Sequence, residues 1–202
     1  MDRHAIAALI AADPRAMDQL RVVRDLALPD WCIAAGFVRT RVWDWLHGRW
    51  PARAPADIDV LFFDRAREGR DGEAHCEAHL RARMPGPVWQ VRNQARMHVA
   101  KGVAPHRDTA HAMTFWLETA TAVGIRLEAD DSLSIVAPLG IDDLVGLVCR
   151  PTAWGAANRA AYEARIADKG WRAIWPRVRF LDAEAAHPCP GTTAVDGGAA
   201  AL

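Results

Sequence analysis

Asp57 and Asp59 stand one residue apart in ADIDVLFFD, residues 56–64. Successive side chains of a strand point to opposite faces, so here the two carboxylates share one face and Ile58 and Val60 take the other. Like charges so placed repel unless a cation lies between them. Mg2+ suits such a pair, since it takes one or two carboxylates and completes its shell with water and substrate phosphate oxygens. The bland alternative is a pair of solvated acids closing the preceding loop, because Asp-x-Asp is common by chance.

A second constellation lies upstream. AAGFVRTRVWD, residues 34–44, reads as the end of an apolar strand, a glycine, and a helix start carrying Arg39, Thr40 and Arg41. Glycine lets the backbone approach a ligand closely, and helix-start amides beside an arginine suit a phosphate. Gly36, Arg39 and Thr40 are therefore candidates for a phosphate cradle. Further along, VRNQARMH (91–98) offers Arg92, Asn93, Gln94, Arg96 and His98, donors that fit phosphate oxygens or a base edge, or else an exposed loop. Asp44 and His47, on the helix after the glycine, suit capping or pairing with a neighbouring arginine better than ligand binding.

Two further features carry less. His75 and His79 are one helical turn apart, the spacing of a zinc pair, but no glutamate sits where a zinc protease needs one and no third ligand is near; a solvated helix face explains them. Trp43, Trp45, Trp89 and Trp116 fall in apolar patterns, which predicts core packing. The chain has no Walker-type loop and no dinucleotide fingerprint.

These residues need elements to hold them. Asp13 before Pro14 predicts a capped helix running toward Leu28, stopped by Pro29. WCIAAGFV (31–38) predicts a short strand ending in a tight loop, and RTRVWDWLHG (39–48) a helix with Gly48 as its stop. DIDVLFF (57–63) is apolar on both faces, so it predicts a central strand covered on each side. DGEAHCEAHLRARMPGP (71–87) predicts a helix, and VWQVRNQ begins as a strand. TATAVGIRLEADDSLSIVAP (119–138) predicts a hairpin turning at Asp130, Asp131 and Ser132. IDDLVGLVCR predicts a short helix, and AAYEARIADKGW a helix stopped at Gly170. The order predicts an α/β (α+β) fold, a mixed sheet flanked by helices. One domain is expected over 1–182, with a helical N-terminal segment over 1–28 and a disordered tail over 183–202.

Composition agrees. Of 202 residues, 51% are hydrophobic, enough for a substantial core, and 25 basic residues balance 25 acidic ones. A protein gripping nucleic acid chiefly through phosphates is usually more basic, so any such grip must be local. The four cysteines form no CxxC pair, and no apolar stretch suits a signal peptide or a membrane span. A cytoplasmic location without membrane association is expected.

Taken together, the strand–glycine–helix unit and the acid pair resemble nucleotidyltransferases of the polymerase β type. The likeness extends to a bacterial family of nucleotidyltransferase-like proteins through LPDWCIAAGFVRTRVWDWLHG, DIDVLFFD, VRNQARMH, ETATAVGIRL and APLGIDDLVGLVCRP, from about Leu28 to Trp175. The resemblance implies transfer of a nucleoside monophosphate from an NTP to a hydroxyl, with Mg2+ or Mn2+ held by Asp57 and Asp59. It implies an outer-phosphate cradle at Gly36, Arg39 and Thr40, and ligand-facing roles for Asn93, Gln94 and Arg96. A third acid usually comes from a later strand; here Glu118, opening ETATAVGIRL, is the candidate. Phe37 departs from the pattern, because the superfamily usually has a second small residue there. The acceptor, whether small molecule, protein or RNA end, is left open. So is a rival reading, a non-catalytic nucleotide- or partner-binding module on a degenerate version of the fold.

Overall fold

The computed structural model describes residues 1–67 and 69–182. The tail expected from residue 183 onward lies outside them. Two helices lead, α1 (Arg3–Ala11) and α2 (Pro14–Arg24). Asp13 caps α2 as its sequence predicts, its Oδ1 accepting from the Arg15 amide at 3.1 Å. The helix stops at Arg24, short of Pro29, and Leu28 reaches the core from the following loop.

Then come β1 (Cys32–Ala34), α3 (Gly36–Leu46) and β2 (Ile58–Phe62). They are followed by α4 (Arg70–Arg83) and β3 (Trp89–Asn93). Short helices α5 (Met97–Lys101) and α6 (Thr109–Met113) precede the hairpin of β4 (Gly124–Leu127) and β5 (Leu133–Val136). The C-terminal part holds α7 (Asp142–Val145), β6 (Val148–Cys149), α8 (Ala153–Ala157), α9 (Arg159–Asp168), α10 (Trp171–Ile174) and β7 (Arg179–Phe180).

The main sheet has the order β3-β2-β1-β4-β5. Only β2 and β3 run parallel, joined by the α4 crossover; the other neighbours are antiparallel. In this order β2 is an interior strand, and Ile58, Val60, Leu61 and Phe62 are all buried, as a strand apolar on both faces requires. Because β1 and β2 are antiparallel with Ala34 opposite Asp59, the end of β1 and the start of α3 lie beside the start of β2. That register brings the two sequence constellations together.

The turn between β1 and α3 is made by Ala35 at φ 56°, ψ −120°, a backbone region where a side chain is strained. Gly36 is the first helical residue instead of the loop. Phe37 points into the core with no exposed surface, alongside Val38, Val42 and Trp43. Trp43 packs edge-on against Trp175 and Trp171, with ring centroids 5.1 and 6.0 Å away, which fixes α10 beneath α3. Truncating so large a buried ring typically costs about 3–5 kcal/mol. Trp89 is also core, but Trp45 is 48% exposed and Trp116 only half-buried. The apolar patterns around those last two do not translate into core positions.

Candidate active site

Asp57 and Asp59 line one polar cleft of about 190 Å3 together with Gly36, Arg39, Arg165 and Lys169. Asp57 Oδ2 accepts from Gln90 Nε2 at 2.7 Å, and Gln90 sits opposite Asp59 across the parallel β2–β3 pair. Burial, and then the neighbouring Asp57 charge, push the Asp59 carboxyl up to about 6. Arg165, Lys169 and Arg39 pull in the other direction without cancelling that rise. Asp59, with Asp57 beside it in the same cleft, is thus placed where further positive charge would be favourable. Two carboxylates so placed, opening onto a cleft of phosphate-compatible groups, fit a hard divalent cation.

The remainder of the cleft is cationic. α3 has no side-chain cap at its N-terminus, and its first-turn amides have no intrahelical partners. A Cβ placed on Gly36 would meet only Pro55 Cβ at 3.6 Å and an Arg39 guanidinium nitrogen at 3.7 Å, so the backbone there is open to a ligand. Arg39 is 8% exposed, its guanidinium carbon 4.3 Å from the Trp171 ring centroid and also over Trp43 and Trp175. Burial lowers its pKa to about 10, with Glu118 raising it and Arg165 lowering it further. Its Nε is buried and hydrogen-bonds to nothing. Thr40 is buried and lines an adjoining cavity of about 250 Å3 with Arg39, Arg53, Asp57 and Lys169.

Glu118 stands differently from its sequence expectation. It precedes a 3-10 turn at 119–121, and the strand begins only at Gly124. Its Oε1 accepts from Arg165 Nε at 2.6 Å, and it is wholly buried. Among the described residues no group of three His, Cys, Asp or Glu side chains is placed to hold a metal. Glu118 therefore supports Arg165 and is not gathered with the two aspartates into a three-acid cluster.

Nor does the structure bring Asn93, Gln94 and Arg96 into the cleft. Asn93 accepts from the Asp64 and Ala95 amides and donates to the Asp64 and Arg67 carbonyls, which occupies its whole side chain. Gln94 donates to the Arg92 carbonyl. Arg96 forks onto both oxygens of the buried Glu73, which also accepts from the Asn93 amide. These donors brace the loop after β2 against α4. Asp44 and His47 are structural, as expected: Asp44 accepts from Trp175 Nε1 at 2.8 Å and from Arg53, and His47 bonds the Trp43 carbonyl. His75 and His79 lie on the exposed face of α4.

Three cleft residues escape sequence reasoning: Gln90, Arg165 and Lys169. A signal for the last two existed, because Arg165 and Lys169 are one turn apart just before the Gly170 stop.

A family model described as Nucleotidyltransferase matches residues 21–180. The chain belongs to that nucleotidyltransferase family. A solution structure described as revealing a CCA-adding enzyme head domain is 30% identical, with a TM-score of 0.79 over 90% of this chain and 96% of that one. The family fold recurs at lower identity. A CCA-adding enzyme in complex with ATP is 16% identical with a TM-score of 0.55, over 89% of this chain and 43% of that one. The Thermotoga maritima CCA-adding enzyme complexed with tRNA is 15% identical with a TM-score of 0.54, over 88% and 42%. The chain thus spans less than half of those two enzymes, which show the fold alone. No curated relative matches by sequence. Among the described residues no helix is long and apolar enough to cross a membrane.

Proposed function

We propose that this family member is a metal-dependent nucleotidyltransferase that moves a nucleoside monophosphate from an NTP to a hydroxyl acceptor. The observation that carries the reading is that Asp57, just ahead of β2, and Asp59, within it, line one cleft with Arg39, Arg165, Lys169 and the uncapped N-terminus of α3. Asp57 and Asp59 are the residues to hold Mg2+ or Mn2+, Asp57 oriented by Gln90. With Mg2+ or Mn2+ held there, triphosphate charge would be offset and the attacking hydroxyl made more acidic. The α3 amides and Arg39 receive the outer phosphates, and Thr40 and Arg53 extend that cradle. Lys169 and Arg165 offset the charge that grows on the departing pyrophosphate as the acceptor oxygen bonds to the α-phosphorus and the bond to the β-phosphate oxygen breaks. Such catalysis is positioning and electrostatics, which suits a rigid, preorganised cleft. Cys32, Cys76 and Cys149 are free thiols, in keeping with a reducing compartment such as the cytoplasm.

The test is release of pyrophosphate, and labelling of an acceptor in cell extract, from each α-labelled NTP with Mg2+ or Mn2+. Activity should require the metal and vanish in Asp59→Asn. Metal-dependent NTP binding without any pyrophosphate release would instead favour the non-catalytic module, a reading that draws on Glu118 being held by Arg165.

A further inference from the structure

Arg39 and Arg41 stand two residues apart on α3, both buried, and are held differently. Arg41 is tied by hydrogen bonds: its guanidinium donates to the Asp13 carboxylate and to the Phe37 carbonyl. Arg39 makes no side-chain hydrogen bond and no ion pair among the described residues, and its Nε is buried without a partner. Indole surrounds it instead. The guanidinium carbon lies 4.3 Å from the Trp171 ring centroid, 5.4 Å from that of Trp175 and 5.5 Å from that of Trp43.

Trp171 is the nearest of the three rings, and it is itself fixed. It is buried, meets Trp43 edge-on, and follows Gly170, whose φ of 60° turns the chain from α9 into α10. Arg165 and Lys169 reach the cleft from just before that turn, and the Arg165 guanidinium carbon is 5.6 Å from the same Trp171 centroid. A carboxylate partner also fixes a guanidinium, but it offsets the charge and occupies the N–H donors. An aromatic face attracts the cation through its quadrupole and leaves charge and donors for a ligand. Arg165 has the first arrangement, since its Nε is spent on Glu118; Arg39 has the second. A guanidinium that is immobilised yet unspent is what a preorganised phosphate site needs.

We propose that Trp171 is a positioning residue of the cleft, its indole holding the Arg39 guanidinium in place for the outer phosphates without competing for it. The proposal rests on the nucleotidyltransferase reading, because Trp171 acts only through the contact of Arg39 with triphosphate.

The test is a double-mutant cycle read by calorimetry on the full chain with Mg2+ and tripolyphosphate. Trp171→Leu should weaken binding about tenfold, the worth of a desolvated cation–ring contact. Trp171→Phe keeps a ring at the site and should lose only about threefold. Beside Arg39→Met, which removes the cation, neither substitution should change the affinity that remains. Should Trp171→Leu fail to fold, Trp171→Phe runs the same cycle, its loss vanishing beside Arg39→Met. The proposal is overturned if Trp171→Leu, or Trp171→Phe in its place, binds like the parent. It is equally overturned if the loss persists beside Arg39→Met, which would make Trp171 a prop of the fold and nothing more. A parent that binds no tripolyphosphate overturns the triphosphate reading, and this proposal with it. Binding by the parent with an uncoupled Trp171 overturns this proposal alone.

Discussion

Ala34 on β1 lies directly across from Asp59 on β2 in an antiparallel register. One consequence is that Asp59 is at once a sheet residue and the neighbour of the strained Ala35 turn that launches α3. The Asp59 backbone is therefore paired on both sides, Ala34 on one and Gln90 on the other, which fixes where its side chain leaves the sheet.

That confinement sets a pH-dependent stability. The Asp59 carboxyl is raised to about 6 by burial and by Asp57, so the folded state binds its proton more tightly than the unfolded chain does. An acid raised in this way costs stability once it ionises, and the cost grows as pH climbs from about 4 through about 6. Asp59→Asn removes that cost. In chelator-treated protein at pH 7 the variant should be more stable than the parent by about 1–2 kcal/mol, several degrees in melting temperature, and should lack activity. At pH 4 the difference should shrink toward zero. Thermal unfolding across pH 4–8 checks it, and equal stabilities throughout would show that the pair is not strained.

Gly36 offers a cleaner test of the cradle. A methyl there makes ordinary contacts with Pro55 and Arg39, and Gly36 already has helical geometry. Gly36→Ala should leave folding unchanged or gain up to about 1 kcal/mol from helix propensity. It should nevertheless weaken Mg2+–NTP binding about tenfold, because the methyl intrudes on the approach of phosphate to the first-turn amides. Denaturant unfolding and calorimetry on the same sample separate the two effects.

Asn93 makes the opposite prediction. Its side chain spans the backbone at Asp64, Arg67 and Ala95 and meets no part of the cleft. Asn93→Ala should destabilise the fold by about 2–3 kcal/mol through unpaired buried backbone groups. Turnover per folded molecule should stay near the parent value. A large loss of turnover with unaltered stability would return Asn93 to the ligand-binding set.

The difference between Gly36 and Asn93 shows what the sequence makes legible. Local patterns foretell β1, the turn before α3, β2 and the β4–β5 hairpin, because alternation, glycine position and the Asp130–Ser132 turn act over a few residues. The meeting of Gly36 with the aspartates follows from strand order, which the family resemblance supplies. Arg165 and Lys169 come from a helix more distant in the chain, and only tertiary packing turns that face of α9 toward β2. The VRNQARMH run misleads for a physical reason: its polar groups donate to carbonyls of the 64–67 loop and to the buried Glu73, and Asn93 accepts from the Asp64 amide. A need of that kind belongs to the folded backbone and leaves no trace in residue types. Glu118 shows the same effect, since its partner Arg165 is invisible until α9 docks.

Arg39 tests whether the cleft's charge serves stability or ligand. Its guanidinium is stacked against Trp171, Trp43 and Trp175, its Nε is unpartnered, and burial drives its pKa down to about 10. A buried cation without a hydrogen-bonded counterion is poor at holding a fold together, and an apolar side chain of similar length can replace it at little cost. Arg39→Met should therefore keep stability within about 1 kcal/mol of the parent, the thioether packing among the indoles. Affinity for Mg2+–NTP should fall by at least about tenfold, since one charge-assisted contact to phosphate is lost. Arg39→Lys keeps the charge but not the planar stack, so it should recover only part of that affinity. Calorimetry with tripolyphosphate isolates the contribution, because that ligand has no ring to bind elsewhere. If Arg39→Met instead unfolds the protein while a refolded fraction binds tripolyphosphate as well as the parent, the arginine belongs to the indole cluster and not to the phosphate cradle.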